Sequence, residues 1–228
     1  MIAFPDAERM TIEKKQFAIR SSIAWKTEWA KPAFRIQCVV CIAILSSFAL
    51  GIGYFFDYIE ARNGTELHDY VLELLTPHNL SWTIFFFLYL AVFLGIGANR
   101  ANPRVILLAF ETYCLVTLIR VASIYCIPLE PPVGYVPLKE PFVSLFTDDG
   151  RIISRDLFFS GHVSTVMSIF LAVPQRRLKI VLGAFVPVVA TLLLIQHVHY
   201  TVDVLVAIPA TWICSFVCRK VLIGSIPN

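Results

Sequence analysis

Residues Ile36–Phe56 read IQCVVCIAILSSFALGIGYFF, a run of 21 positions without one charged side chain. A helix of that length rises about 31 Å, enough to cross the hydrocarbon core of a bilayer. Five further apolar runs follow: Ser81–Ala98, Val105–Ile127, Gly161–Val173, Ile180–His197 and Val202–Leu222. The third carries Glu111 and Arg120, and the fourth is short. Composition agrees, with 57% hydrophobic and 15% charged residues in 228 and a mean hydropathy of +0.73. So much apolar surface cannot be buried in one water-soluble core. A disordered chain, a disulfide scaffold and a nucleic-acid binder are disfavoured. Backbone groups in lipid must bond internally, so the sequence predicts an all-α polytopic membrane protein with six transmembrane helices.

Lysine and arginine set the expected orientation. Fourteen fall on one side: seven before the first span, Arg100 and Arg104, then Arg176, Arg177 and Lys179, and finally Arg219 and Lys220. Only Arg62, Lys139, Arg151 and Arg155 fall on the other, where the loop 57–80 is acidic. Both termini are therefore expected in the cytoplasm. The predicted organisation is a cytoplasmic tail or interfacial helix over 1–35, a six-helix transmembrane domain over 36–222 and a tail over 223–228. Within the first segment, residues 7–30 suit an amphipathic helix with Trp25 and Trp29 at the interface. Asn63-Gly64-Thr65 lies on the outer side and could be glycosylated in a eukaryote. The proline-rich stretch 128–157 is predicted to be irregular and outside the membrane, as functional loops often are.

The six cysteines lie mostly in apolar runs without framework spacing, so free thiols are expected. No metal and no cofactor is expected. Haem ligation is rejected because the histidines fall at helix ends beside acids and arginines rather than at mid-depth.

Placed on this topology, the polar residues converge. Ser160-Gly161-His162 opens the fourth span at its outer end. The chain descends, turns at 174–179 and climbs back to His199-Tyr200-Thr201-Val202-Asp203 at the same depth. Arg120, fifteen residues into its span, and Arg155 and Asp156 reach that level too. Asp203 is four residues beyond His199, so on a helical stretch they share a face, and the carboxylate would fix the imidazole tautomer. Ser160 can cap a helix, and Gly161 lets its N–H groups approach a phosphate. His162 could protonate a leaving oxygen. An arginine inside a bilayer marks a polar partner or cavity. His197 reads as a bystander or supporting group, His68 and His78 as solvated, Glu111 as helix packing or a buried polar pair, and Tyr200 as an interfacial or packing aromatic.

Phe158-Phe159-Ser160-Gly161-His162, followed by His199-Tyr200-Thr201-Val202-Asp203-Val204, resembles the type-2 phosphatidic acid phosphatase (PAP2) superfamily. It is closest to the sphingomyelin synthase branch, with motifs Ser-Gly-His-Thr and His-Tyr-Thr-x-Asp-Val. The stretch from Arg120 to Pro128 is also similar to an arginine motif of that branch. The resemblance covers residues 120–207. It implies a PAP2-like six-helix bundle with a His-His-Asp triad, here His162, His199 and Asp203, facing the extracytoplasmic side. It implies transfer of phosphocholine or phosphoethanolamine from a glycerophospholipid to ceramide or another lipid alcohol, through a phosphohistidine or by direct displacement. Arg120, Ser160, Gly161, Arg155, Asp156 and Tyr200 are the expected phosphate and headgroup contacts. The expected partners are a phospholipid donor and a lipid alcohol acceptor, no nucleic acid, with homo-oligomerisation left open.

The chain departs from the branch in places. Val163 replaces its threonine, Ser154-Arg155-Asp156 its Cys-Gly-Asp, and Ile208-Pro209 its Tyr-Tyr. It also lacks the Lys-x6-Arg-Pro motif of the superfamily's lipid phosphatases, and Leu193 stands where they carry an arginine six residues before the histidine. Fewer cationic clamps suit a singly charged phosphodiester better than a phosphate monoester. The enzymatic alternative is a phosphatase acting on phosphatidic acid or an isoprenyl pyrophosphate. The alternative of another class is a membrane transporter or scaffold, against which the polar groups gather at one interface rather than along a midplane path.

Overall fold

The computed structural model describes residues 5–139 and 153–222, with side chains over 15–139 and 153–220. The expected tail 223–228 and much of the proline-rich stretch, including Pro141 and Arg151, lie outside the described residues, as do the side chains of Arg9 and Lys14. Eight α-helices are described: α1 Pro5–Trp29, α2 Pro32–Ala61, α3 Tyr70–Glu73, α4 Ser81–Asn99, α5 Pro103–Cys126, α6 Gly161–Ala172, α7 Arg176–Ile195 and α8 Thr201–Val217. A π-helical turn, Cys218–Leu222, extends α8. Among the described residues no strand forms; one isolated parallel bridge joins Thr65 to Leu129.

The chain is an all-helical polytopic bundle. Helices α2, α4, α5, α7 and α8 are long and apolar enough to cross a membrane, while α6 is a shorter apolar helix. At 12 residues α6 rises only about 18 Å, short of a full span. It sits in the middle of the bundle and packs on α4, α5, α7 and α8. Its ends therefore meet protein rather than lipid, which lets the flanking chain be irregular. Ser164 and Ser168, both buried, turn their hydroxyls back to the carbonyls of Ser160 and Ser164 at 2.7 and 2.8 Å. No polar atom of that face is then left open to the neighbouring helices.

The main core forms where α4, α6, α7 and α8 meet, around Ile84, Val166, Leu182, Val189 and Ala207. Helix α2 stands apart and touches α5 through Phe34, Cys41, Leu107 and Cys114. All six cysteines are free thiols. Among the described residues no three His, Cys, Asp or Glu side chains are grouped to hold a metal ion.

Two boundaries differ from the sequence reading. The fifth run is helical over Arg176–Ile195 and stops short of His197. His197 takes a left-handed backbone, φ +53°, which ends the helix. Inside the acidic loop, Asp69 caps the short helix α3 by accepting from the Val71 and Leu72 amides.

Helix α4 comes close to α6 at Gly95, where an added Cβ would collide with the Ile169 side chain; at Gly97 a Cβ would meet nothing within 4 Å. Gly95→Leu is therefore expected to lower the melting temperature of the purified protein by several degrees, as overpacking costs about 1–3 kcal/mol. Gly97→Leu should leave it unchanged. Equal effects of the two would refute this packing.

Candidate active site

Backbone placement at the start of α6 begins with Phe158, which has φ +77°. A non-glycine residue there is strained and persists only because its surroundings hold it. The turn it makes is pinned at both following residues. The Phe159 carbonyl accepts from Arg120 Nε at 2.9 Å, and the Ser160 amide donates to the Asp203 carbonyl at 3.3 Å. Ser160 Oγ then accepts from the Val163 amide at 3.4 Å and caps α6 as its type suggests.

The second motif is set at the entry to α8. Asp203, fully buried, accepts the Tyr200 amide at 3.0 Å and holds His199 Nδ1 at 3.2 Å through the same oxygen, Oδ2. The i,i+4 spacing thus produces the expected pair, although His199 itself precedes the helix. Since Oδ2 is an acceptor, the His199 proton sits on Nδ1 and leaves the Nε2 lone pair available. Two motif residues 37 positions apart then meet. The His162 and His199 rings lie 6.5 Å apart, centre to centre, at 61°. Phe85 presents its face or edge to His162 at 5.5 Å and 74°, and stacks in turn on Tyr89.

Arg120 completes the group. Its Nη2 pairs with Asp156 Oδ2, while Asp156 Oδ1 is buried without a partner. The guanidinium lies directly over Gly161: a Cβ there would sit 3.1 Å from Arg120 Cζ. His162 Nδ1 and Asp203 Oδ1 are also buried without partners. Three unsatisfied polar atoms so close together are costly in a finished core and ordinary in a site awaiting a ligand.

Seven of the nine residues singled out from sequence come together here: His162, His199, Asp203, Arg120, Asp156, Ser160 and Gly161. The other two are adjacent but spent on other partners. Arg155 makes hydrogen bonds to both Glu130 carboxylate oxygens at 2.8–3.1 Å and to the Glu60 carbonyl. The Tyr200 hydroxyl, on a side chain only 1% exposed, accepts from the Leu67 amide at 3.2 Å and donates to the Glu130 carbonyl at 3.1 Å. Arg155 and Asp156, though adjacent, do not pair with each other: Arg155 pairs with Glu130 and Asp156 with Arg120.

Residues that the sequence reading did not place in the site brace this arrangement. Glu60, at the end of α2, accepts from the Ser154 and Arg155 amides at 2.7 Å and the Ser154 hydroxyl at 2.9 Å. Glu130 accepts the Gly64 amide at 2.7 Å; that bond and Arg155 hold its carboxyl below the usual range despite burial. His197 sits between two carbonyl oxygens, Val133 at 2.7 Å from Nδ1 and Leu75 at 3.2 Å from Nε2, and so bridges two outer loops. Asp69 joins α3 to α8, accepting the Thr201 amide at 2.6 Å and its hydroxyl at 3.0 Å. Glu111, on the same helix as Arg120, is buried with Oε2 unpartnered.

Asp69 gives a pH test outside the spans. Burial works to raise its carboxyl, but the bonds from Thr201, Leu72 and Val71 outweigh that and hold it below its ordinary value. Its stabilisation is then complete above about pH 4, the unfolded value, and lost as pH falls through the lower folded one. Asp69→Asn is expected to melt several degrees below the parent at pH 7, with the gap closing on acidification. A gap independent of pH would contradict the assignment.

Residues 155–220, under a third of the chain, match the family model described as PAP2 superfamily C-terminal. The matched segment contains Asp156, Ser160, Gly161, His162, His199 and Asp203. No curated protein and no solved structure matches this chain. The match over residues 155–220 and the apolar helical bundle are consistent with the PAP2 superfamily.

Proposed function

We propose that the protein is a lipid headgroup phosphotransferase that moves phosphocholine or phosphoethanolamine from a glycerophospholipid to ceramide or another lipid alcohol. The observation that carries this reading is the pair of facing imidazoles, His162 and His199, with Asp203 behind one and the Arg120–Asp156 pair beside the other.

In the proposed reaction His199 Nε2 attacks phosphorus and the bond to the diacylglycerol oxygen breaks. Protonated His162 gives its proton to that leaving oxygen. Asp203 stays ionised, holds the Nδ1 proton and stabilises the positive charge that develops on His199. The acceptor hydroxyl then loses its proton to His162 and attacks phosphorus, and the phosphorus–nitrogen bond breaks. Both histidines return to their starting state, and diacylglycerol and the new phospholipid are released. Direct displacement with His199 as general base uses the same groups. Gly161 and Arg120 hold the phosphoryl oxygens, and the free oxygen of Asp156 receives the headgroup cation. Arg155 and Tyr200 act as positioning residues through Glu130.

Charge favours a diester donor over a monoester. Arg120 is already balanced by Asp156, and Arg155 by Glu130. A dianionic monoester would meet little net positive charge here, whereas a zwitterionic phosphodiester matches an arginine–carboxylate pair. The charge bias of the loops supports an extracytoplasmic site with both termini cytoplasmic.

The test uses proteoliposomes with labelled ceramide and either phosphatidylcholine or phosphatidylethanolamine. Headgroup transfer is expected, with His162→Ala and His199→Ala each lowering it about 1,000-fold or more. Asp203→Asn should lower it about 100-fold or more, by allowing the wrong tautomer. The rate should follow a bell-shaped pH profile, because one imidazole must be protonated and the other neutral. Inorganic phosphate release from phosphatidic acid or an isoprenyl pyrophosphate, with no transfer, would contradict the reading in favour of a phosphatase. Activities unaffected by His199→Ala would favour a transporter or scaffold.

A further inference from the structure

At the opposite end of the bundle from the histidines, α1 meets α2 in a tight elbow, Ala30–Lys31. Helix α1 is fixed there. Trp25 Nε1 donates to the Arg100 carbonyl at 2.8 Å, and the Arg100 guanidinium lies over the Phe17 ring at 4.6 Å. Trp25 and Trp29 both set their edges against Phe34, at 6.4 Å and 79° and at 6.2 Å and 73°. This aromatic wall leaves a cleft of about 470 Å³, lined by Trp25, Lys26, Trp29, Ala30 and Arg35.

The charge in that cleft is unbalanced. The side chains of Lys26 and Arg35 have no hydrogen-bond or ion-pair partner among the described residues. The nearest acid in sequence, Glu28, is taken: it pairs with Lys31 at 2.6 Å and Arg104 at 2.8 Å. Burial works against its ionisation, but those two cations outweigh it and hold the carboxyl below the usual range. Glu28 is therefore an anion already matched by two cations, and among the described residues no carboxylate lines the cleft. Two positive side chains on a rigid indole wall remain for an external anion.

Position then selects the kind of anion. The cleft's lining runs from Trp25 to Arg35, which immediately precedes the apolar run that begins at Ile36. That is the headgroup level of a bilayer, where indole rings also concentrate. Directly beyond it, α2 exposes Ile36, Val39 and Val40, 63%, 61% and 49% accessible, as a lane for acyl chains. A soluble phosphoester would use only the cations; a phospholipid would use both the cations and the lane.

We propose that the α1–α2 elbow binds the headgroup of an anionic phospholipid from the leaflet on its own side of the membrane. The site is separate from the histidine cluster and does not depend on what that cluster catalyses. Its phosphate lies between Lys26 and Arg35, its glycerol against Trp25 and Trp29, and its chains along α2.

The test places the full chain in nanodiscs, with Trp82→Phe and Trp212→Phe introduced so that Trp25 and Trp29 alone fluoresce. Brominated-chain phosphatidylglycerol and brominated-chain phosphatidylcholine are then compared at equal mole fraction. One cation near an anionic surface is worth about a fivefold preference, so the anionic lipid should quench at a several-fold lower mole fraction. The preference should shrink with added salt and vanish in Lys26→Gln/Arg35→Gln, two exposed substitutions whose folding is checked by an unchanged melting temperature. Equal quenching by the two lipids in the unsubstituted elbow would overturn the proposal. So would a preference that survives the double substitution. Loss of the preference to soluble glycerol phosphate would overturn the lipid assignment and leave a soluble phosphoester as the ligand.

Discussion

The site is organised by one carboxylate and its own backbone carbonyl. Asp203 holds the His199 ring and the Tyr200 amide through its side chain, while its main-chain oxygen accepts the Ser160 amide. Two segments distant in sequence are thus joined through a single residue with no exposed surface. Buried, charge-assisted contacts of this kind are strong because the alternative is a charge left unsatisfied in a low-dielectric interior. The His162–His199 separation is a consequence: Ser160 starts the helix that carries His162, and Asp203 orients His199.

The architecture around this joint explains the short helix α6. A full-length span would carry its N-terminus past the level of the α8 entry. At 12 residues, α6 begins where Ser160 can reach Asp203, and four neighbouring helices pack around it. Glu60 at the end of α2 and Glu130 in an outer loop then hold the preceding chain at Ser154 and Arg155. Their cost is polar burial, and nearly every group in the lattice is matched. The exceptions, on His162, Asp156 and Asp203, fall at the proposed reaction centre. An arginine already balanced by an acid makes a centre suited to a substrate carrying both a phosphate and a cation, and this links the electrostatics to the proposed choice of phosphodiester.

Much of this was legible in the sequence because it depends on periodicity and depth. Runs of apolar residues give spans; the spacing from His199 to Asp203 gives a shared face; Ser160 before an apolar run gives a cap. Pairing across loops was not legible. Adjacent side chains in a non-helical stretch leave the chain in different directions, so Arg155 and Asp156 separate, one to Glu130 and the other to Arg120. Nothing in the spacing of Glu60, Asp69 or Glu130 signals a partner more than sixty residues away, except for Glu130 and Arg155, which are 25 apart within an irregular stretch. The end of α7 was misplaced by two residues because His197 looks helix-compatible by type, and only its contacts with Val133 and Leu75 make the left-handed turn worthwhile. Tyr200, in the middle of a motif, serves structure: its hydroxyl lies between the Leu67 amide and the Glu130 carbonyl.

The central claim is that one phosphorus atom sits between His162 and His199. Vanadate mimics the five-coordinate phosphorus of the transferring state, so an experimental structure of the full chain with vanadate tests it most directly. The account predicts vanadium bonded to His199 Nε2, with His162 against the opposite oxygen and Arg120 and the Gly161 amide on the equatorial ones. Vanadate bound away from both imidazoles, or held by only one of them with the other turned aside, would contradict it.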